Sequence, residues 1–199
     1  MIRLSKITTR SGDKGESGLA DGSRRPKQDA RFDAIGLVDA LNAHIGVVCA
    51  RLASEEANAN ADDTSLSREL VKIQNDLFDA GADLATPSGK DALRIVPAQV
   101  EALERATAAL NESLAPLTSF ILPGGTLLAA ELHVARTACR TAERACWRLH
   151  RQPKNRLNPA LLHYLNRLSD FLFVAARSVQ ARHPDVPTPL WQPGKNRPS

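Results

Sequence analysis

Residues 31–53 read RFDAIGLVDALNAHIGVVCARLA, with Phe32, Ile35, Val38, Leu41, Ile45 and Val48 at steps of three and four. That spacing puts the apolar side chains on one face and predicts a helix from Arg31 to about Ala53. Downstream segments repeat the pattern. Ser67 to about Leu84 carries Leu70, Ile73, Leu77 and Gly81, with Ser67 placed as an N-cap. Pro97 opens a third helix through Val100, Leu103, Ala106, Leu110 and Leu114 to Pro116. Thr126 to about Arg151 forms a fourth, and the Asn158-Pro159 pair starts a fifth that ends near Arg182. Five amphipathic helices joined by short or polar loops predict an all-α protein, a single-domain five-helix antiparallel bundle.

Composition agrees with that plan. At 199 residues and 43% hydrophobic, the chain can build one well-buried core and is short for two. With one Tyr, two Trp and five Phe, the core must be aliphatic and carried on strong helix formers. Residues 1–30 form a glycine-rich leader, 31–182 the bundle, and 183–199 an arm. Pro184, Pro187, Pro189, Pro193 and Pro198 keep that arm extended, either docked through Leu190 and Trp191 or mobile. The stretch Ser54 to Thr64 is polar and aperiodic, a solvated connection, and Thr86-Pro87-Ser88-Gly89 is a turn cluster. Cys49, Cys139 and Cys146 lack metal-site or C-x-x-C spacing and read as reduced core thiols. No apolar run approaches the roughly 20 residues of a membrane span, and Met1 to Lys6 lack a signal peptide's apolar core, so a cytoplasmic protein is expected.

The net charge of +4 is concentrated rather than spread, which favours a localised anion site over a nucleic-acid-coating surface. One concentration is the leader, where Gly12, Gly15, Gly18 and Gly22 alternate with Lys14, Arg24, Arg25 and Lys27. Such a chain can turn through positive φ and bring amides and cations to a phosphate; the same composition also suits a disordered basic tail. The other is the fourth helix, where Arg136, Arg140, Glu143, Arg144 and Trp147 form a polar row beside an apolar one of Leu128, Leu132, Ala135, Cys139, Ala142 and Cys146. A Pro123-Gly124-Gly125 turn feeds that helix and would leave amides free for an anion at its start. Asp39 could pair with a fourth-helix arginine across the bundle, and Asn166 suits a base or ribose edge. The leader lacks the G-x-x-x-x-G-K-S/T spacing, and no nucleophile motif occurs. The inventory therefore suits holding a polyphosphate leaving group while both reacting centres belong to ligands.

Four segments taken together resemble the PduO-type ATP:cob(I)alamin adenosyltransferases, the corrinoid adenosyltransferase family. They are Thr9 to Gly15 with Arg24 to Lys27, Phe32 to Gly36 with Val38 to Asn42, Leu122 to Gly125 with Ala135-Arg136 and Arg140 to Arg144, and Tyr164 to Asp170. The resemblance implies a five-helix homotrimer with active sites between subunits. It implies transfer of the 5′-deoxyadenosyl group of ATP to the cobalt of cob(I)alamin, reduced from cob(II)alamin in the site, with release of triphosphate.

By the same resemblance, Thr9, Arg10, Ser11, Gly12, Ser17, Gly18 and Lys27 belong to the ATP-binding loop, and Arg140, Glu143, Arg144 and Asn166 contact the nucleotide. Asp39 and Arg136 match an ion pair across the subunit boundary. Together with Arg140 and Glu143 they make up the catalytic set. Phe120 matches an aromatic under the corrin that keeps an axial ligand off cobalt. ATP and cobalamin are then substrates, Mg2+ arrives on the ATP phosphates rather than in a protein metal site, and a flavoprotein reductase and an adenosylcobalamin-dependent acceptor enzyme are the implied partners. Ser11 and Thr141 depart from the family's commoner Thr and Arg. Two other functions stay open on the residues: a corrinoid carrier or sensor without turnover, and a basic helical nucleic-acid binder, which lacks an aromatic platform.

Overall fold

A computed structural model describes residues 8–55, 61–87 and 92–197. Residues 1–7 and 56–60, the Ser88-Gly89 part of the turn cluster, and Pro198 lie outside the described residues. In chain order the elements are β1 (Glu16–Gly18), β2 (Arg24–Pro26), α1 (Ala30–Glu55), α2 (Ala61–Ala85), α3 (Pro97–Glu112), α4 (Leu127–His150) and α5 (Pro159–Ala181).

The helices form a bundle in which chain neighbours run in opposite directions. Asn42 on α1 donates to the carbonyl of Gln74 on α2 at 3.2 Å. Arg51 near the end of α1 meets Glu131 near the start of α4 at 3.5 Å. Gln180 near the end of α5 accepts from the Thr126 amide that precedes α4, at 2.8 Å. The outer helix α3 instead lies parallel to α5, since Asn158 bonds Ile95 O, Arg167 bonds Glu104 and Arg177 bonds Asn111. Val38, Leu41, Ile45, Leu70, Leu77, Leu132, Leu165, Leu168 and Phe171 fill the centre, each fully or nearly fully buried. Tyr164 is buried there too, and its hydroxyl donates to Asp76 at 2.9 Å, so no polar atom is stranded by its ring. Burial together with that carboxylate holds the phenol well above its ordinary value.

Several boundaries differ from the sequence expectation. The second helix begins at Ala61, within the stretch expected to be a polar connection, and Ser67 lies inside it rather than capping it. Its first residues, Ala61 to Thr64, carry no apolar period in sequence, so periodicity first registers near Leu66, which is buried. The third helix stops at Glu112, short of Pro116, with Ser113 as its C-cap. Proline restricts the residue before it, which ends a helix early. Asn158 caps α5 through its side chain, as the sequence indicated, and Thr126, expected as the first residue of the fourth helix, caps it instead.

The leader folds into a small antiparallel hairpin with Ser17 opposite Arg25. α1 is long and apolar enough, by length and composition, to cross a membrane. Its core face packs on α2 and α4, and it carries Arg31, Asp33, Asp39 and Arg51. The three cysteines are free thiols. Burial pushes Cys146 up to about 12 and raises Cys139 as well, so neither is a ready nucleophile.

Candidate active site

The leader is tied down where α1 begins and α2 ends. Asp29 accepts the Arg31 amide at 2.9 Å and so caps α1. The amide of Ala20 donates to Ala85 O at 2.9 Å, seating the hairpin on the last turn of α2. Arg31 is buried and bonds Leu84 O at 2.6 Å and Asn155 at 3.0 Å, joining α1 to α2 and to the α4–α5 connection. Beside it, buried Asp83 accepts from Arg94, the Ile95 amide and Asn158. Sequence inspection passed over Arg31 and Asp83. A charged residue in a first helical turn, or late in a helix, carries no mark that distinguishes a buried tie from a solvated one.

On this footing the leader makes a tight cradle. Gly15 and Gly22 take positive φ, as does Arg10 at 59°. Lys27 lies across Gly12, close enough that a Cβ added there would meet its ammonium nitrogen at 3.1 Å. Its amide donates to Gly15 O at 2.8 Å. Arg24 donates to Ser11 O at 2.7 Å and to Glu16 O at 3.3 Å, which closes the 11–16 turn. Thr9 and Ser11 share a hydroxyl hydrogen bond of 2.9 Å. Ser17 is half-buried and Gly18 exposed on the first strand of the hairpin.

The second cation group is on α4. Its apolar side, from Leu128 through Cys146, is buried as the spacing requires. Arg140 and Arg144 project from the other side and are exposed. Neither has an ion pair or hydrogen bond among the described residues. Glu143, which lies between them in sequence, instead accepts from Asn166 of α5 at 3.2 Å. Asn166 is held from its other end by Arg167 at 3.2 Å, and Arg167 by Glu104 at 2.7 Å. The amide of Asn166 is therefore orientated by two neighbours. Arg136, one turn before Arg140, is half-buried with its Nε lacking a partner. Desolvation and the like charge of Arg140 both pull its proton affinity down.

Two sequence expectations change here. Asp39 does not pair with an α4 arginine across the bundle: it is exposed and makes no hydrogen bond or ion pair among the described residues. A helix side chain on the outward face cannot cross to the core side of its own bundle. Two amides at the start of α4 also have protein partners. Thr126 N–H bonds buried Gln180 at 2.8 Å, and Ala129 N–H bonds Thr126 Oγ1 at 3.2 Å. Gly125, at φ +92°, leaves room for that Gln180 oxygen, which a Cβ would meet at 2.0 Å. Gly125 thus serves a protein contact, and Gln180, a residue not singled out in the sequence, is its partner.

Phe120 sits on the α3–α4 connection and is 76% exposed. The leader is anchored at the other end of α4, and among the described residues no hydrogen bond or ion pair joins the leader to Arg136, Arg140, Arg144, Asn166 or Phe120. Among the described residues, one chain thus holds two cation groups and an exposed aromatic at separate places.

Comparison with known proteins adds to this geometry. The Cobalamin adenosyltransferase family profile matches residues 7–179. The corrinoid adenosyltransferase of Mycobacterium tuberculosis is 42% identical over 200 residues, covering 98% of this chain and 97% of that protein. The cobalamin adenosyltransferase of Cupriavidus metallidurans is 47% identical over 175 residues, covering 88% of each. Among solved structures, a variant PduO-type ATP:corrinoid adenosyltransferase from Lactobacillus reuteri, complexed with cobalamin and ATP, superposes with a TM-score of 0.80 at 36% identity, covering 94% of this chain and 99% of that one.

Proposed function

The chain belongs to the cobalamin adenosyltransferase family, and from that premise we propose that it transfers the 5′-deoxyadenosyl group of ATP to the cobalt of a reduced corrinoid, with triphosphate as leaving group. The observation that carries this is the pair of exposed α4 guanidiniums, Arg140 and Arg144, one turn apart and without carboxylate partners among the described residues. Cations kept free on a rigid helix are suited to a ligand's charge.

In this reaction Co(I) attacks C5′ of ATP, so neither reacting atom is the protein's. Its contribution is alignment and neutralisation of the developing triphosphate charge. Lys27 and the amides around Gly12, with Thr9, Arg10, Ser11, Ser17 and Gly18, line one side of the phosphates; Arg140 and Arg144 line the other. Asn166, braced by Glu143 and Arg167, offers a fixed amide to the nucleoside. Mg2+ comes in on the phosphates and keeps most of its waters. Phe120 lies against the lower corrin face and keeps an axial ligand from cobalt, which eases reduction of cob(II)alamin.

A site built from such separated parts is best completed by neighbouring copies in a homotrimer. The outward face of α1 supports this, since Ala40, Ala43, Val47 and Ala50 are exposed there around Asp39. Asp39 of one copy then meets Arg136 of the next, which gives a partner to a carboxylate and to a guanidinium nitrogen that lack one among the described residues. In the cell the enzyme is cytoplasmic, receives its electron from a flavoprotein reductase and hands its product to an adenosylcobalamin-dependent enzyme.

The test is direct. The protein is mixed with ATP, Mg2+ and chemically reduced cobalamin, and corrin absorbance and triphosphate are followed. Conversion to adenosylcobalamin with one triphosphate per turnover is expected. Saturable binding of both ligands without conversion contradicts the proposal and identifies a carrier.

A further inference from the structure

The proline-rich arm is docked, and what it docks against is the segment that carries Phe120. The Leu122 amide donates to Pro189 O and the Trp191 amide to Phe120 O, both at 2.8 Å, so Ile121 and Leu190 face each other as an antiparallel bridge. Ser119 Oγ adds a bond to Trp191 O at 2.9 Å. In that register Phe120 and Trp191 are cross-strand neighbours on one side of the ribbon. Their rings meet edge to face, with centroids 5.8 Å apart and planes inclined at 62°.

The arm is held at its root as well. Gln180, buried near the end of α5, donates to Val186 O at 2.7 Å while its oxygen accepts from the Thr126 amide. One side chain thus fixes the start of α4 and the start of the arm, and the 119–126 connection lies between them. Pro189 packs over Gly124, where an added Cβ would stand 3.5 Å from its ring. Phe120 itself is exposed over three-quarters of its surface, and Trp191 is its one aromatic contact among the described residues.

We propose that Trp191 is a positioning residue for the reaction: it holds the Phe120 ring in the orientation that shields the lower face of the corrin, which makes the C-terminal arm part of the corrinoid platform. This rests on the assignment of Phe120 to the corrin face. A largely exposed phenylalanine has several accessible rotamers, and only one of them can cover a given face of a planar macrocycle. An edge-to-face neighbour on a hydrogen-bonded ribbon selects among them before substrate arrives, which is preorganisation rather than added affinity.

The experiment compares Trp191→Ala, Trp191→Phe, Phe120→Ala and the double alanine variant in the full-length protein, with circular dichroism as a folding control. Electron paramagnetic resonance reads the fraction of cob(II)alamin that loses its lower axial ligand in the presence of ATP, and kinetics separate kcat from the KM for ATP. Trp191→Ala should lower that fraction and kcat together by about three- to tenfold, the worth of one aromatic pair, with the KM for ATP unmoved. Trp191→Phe should recover most of the loss. The double variant should match Phe120→Ala alone, because Trp191 acts through that ring.

A normal Trp191→Ala beside an impaired Phe120→Ala overturns the proposal and leaves the Phe120 assignment standing. Normal behaviour in both overturns the two together. Losses that multiply in the double variant, or a raised KM for ATP in Trp191→Ala, show that Trp191 acts elsewhere.

Discussion

At the scale of single residues, what matters is which charges the fold leaves unsatisfied. Arg140 is exposed and has no carboxylate partner among the described residues, so Arg140→Ala should keep the helical circular dichroism spectrum and thermal midpoint while adenosyl transfer falls by about a hundredfold or more. Turnover at the wild-type rate would remove it from the mechanism. His133 is the opposite case, buried on α4 near the Phe173 ring and close to Arg136, with Nδ1 lacking a partner. Burial first, and the Arg136 charge second, hold its proton affinity below the ordinary 6.5. Below pH 6.5 the unfolded chain therefore binds a proton that the native state refuses, and stability must fall on acidification until the lowered native value is reached. The slope is at most about 1.4 kcal/mol per pH unit. Chemical denaturation at pH 7 and pH 5 should show a smaller difference for His133→Gln than for wild type. The sequence exposed the row of arginines through its spacing, but not their freedom: whether Glu143 would turn to Arg140 or to Asn166 depends on an α5 residue 23 positions away.

At the scale of elements, helices were legible where they bury an apolar face and obscure where they do not. The cores of α1, α4 and α5 followed from periodicity, and Asn158 announced its cap, whereas the capping role of Thr126 was not read. The polar start of α2 and the short leader hairpin gave no such signal, since neither carries an apolar period in its sequence. The Pro-Gly-Gly turn was visible as a turn but not as a socket for Gln180, a long-range contact that no local pattern encodes. Gly125→Ala should cost about 1–3 kcal/mol, from positive φ and from collision with the Gln180 oxygen. In a Gln180→Ala background the collision disappears and only the backbone strain remains, so the same substitution should cost less there. Equal costs in both backgrounds, read from denaturant midpoints, would show that Gln180 does not occupy that space.

At the scale of the molecule, the chain carries the parts of a site at separate places on one bundle, and the account joins them through a neighbouring copy. Sedimentation should then give a trimer, and variants in different parts should complement. Asp39→Ala and Arg140→Ala trimers, each inactive or nearly so, should recover part of the wild-type activity when unfolded together and reassembled, because mixed trimers rebuild some intact interfaces. Absence of any recovery would place both residues in one subunit's site. A crystal structure with ATP and Mg2+ tests this arrangement most directly. The triphosphate is expected between Lys27 with the Gly12 turn and the Arg140 and Arg144 guanidiniums, with C5′ turned toward the side where Phe120 stands. A triphosphate that touches neither the leader nor α4, or a leader unchanged and without ligand contact at saturating ATP, would contradict it.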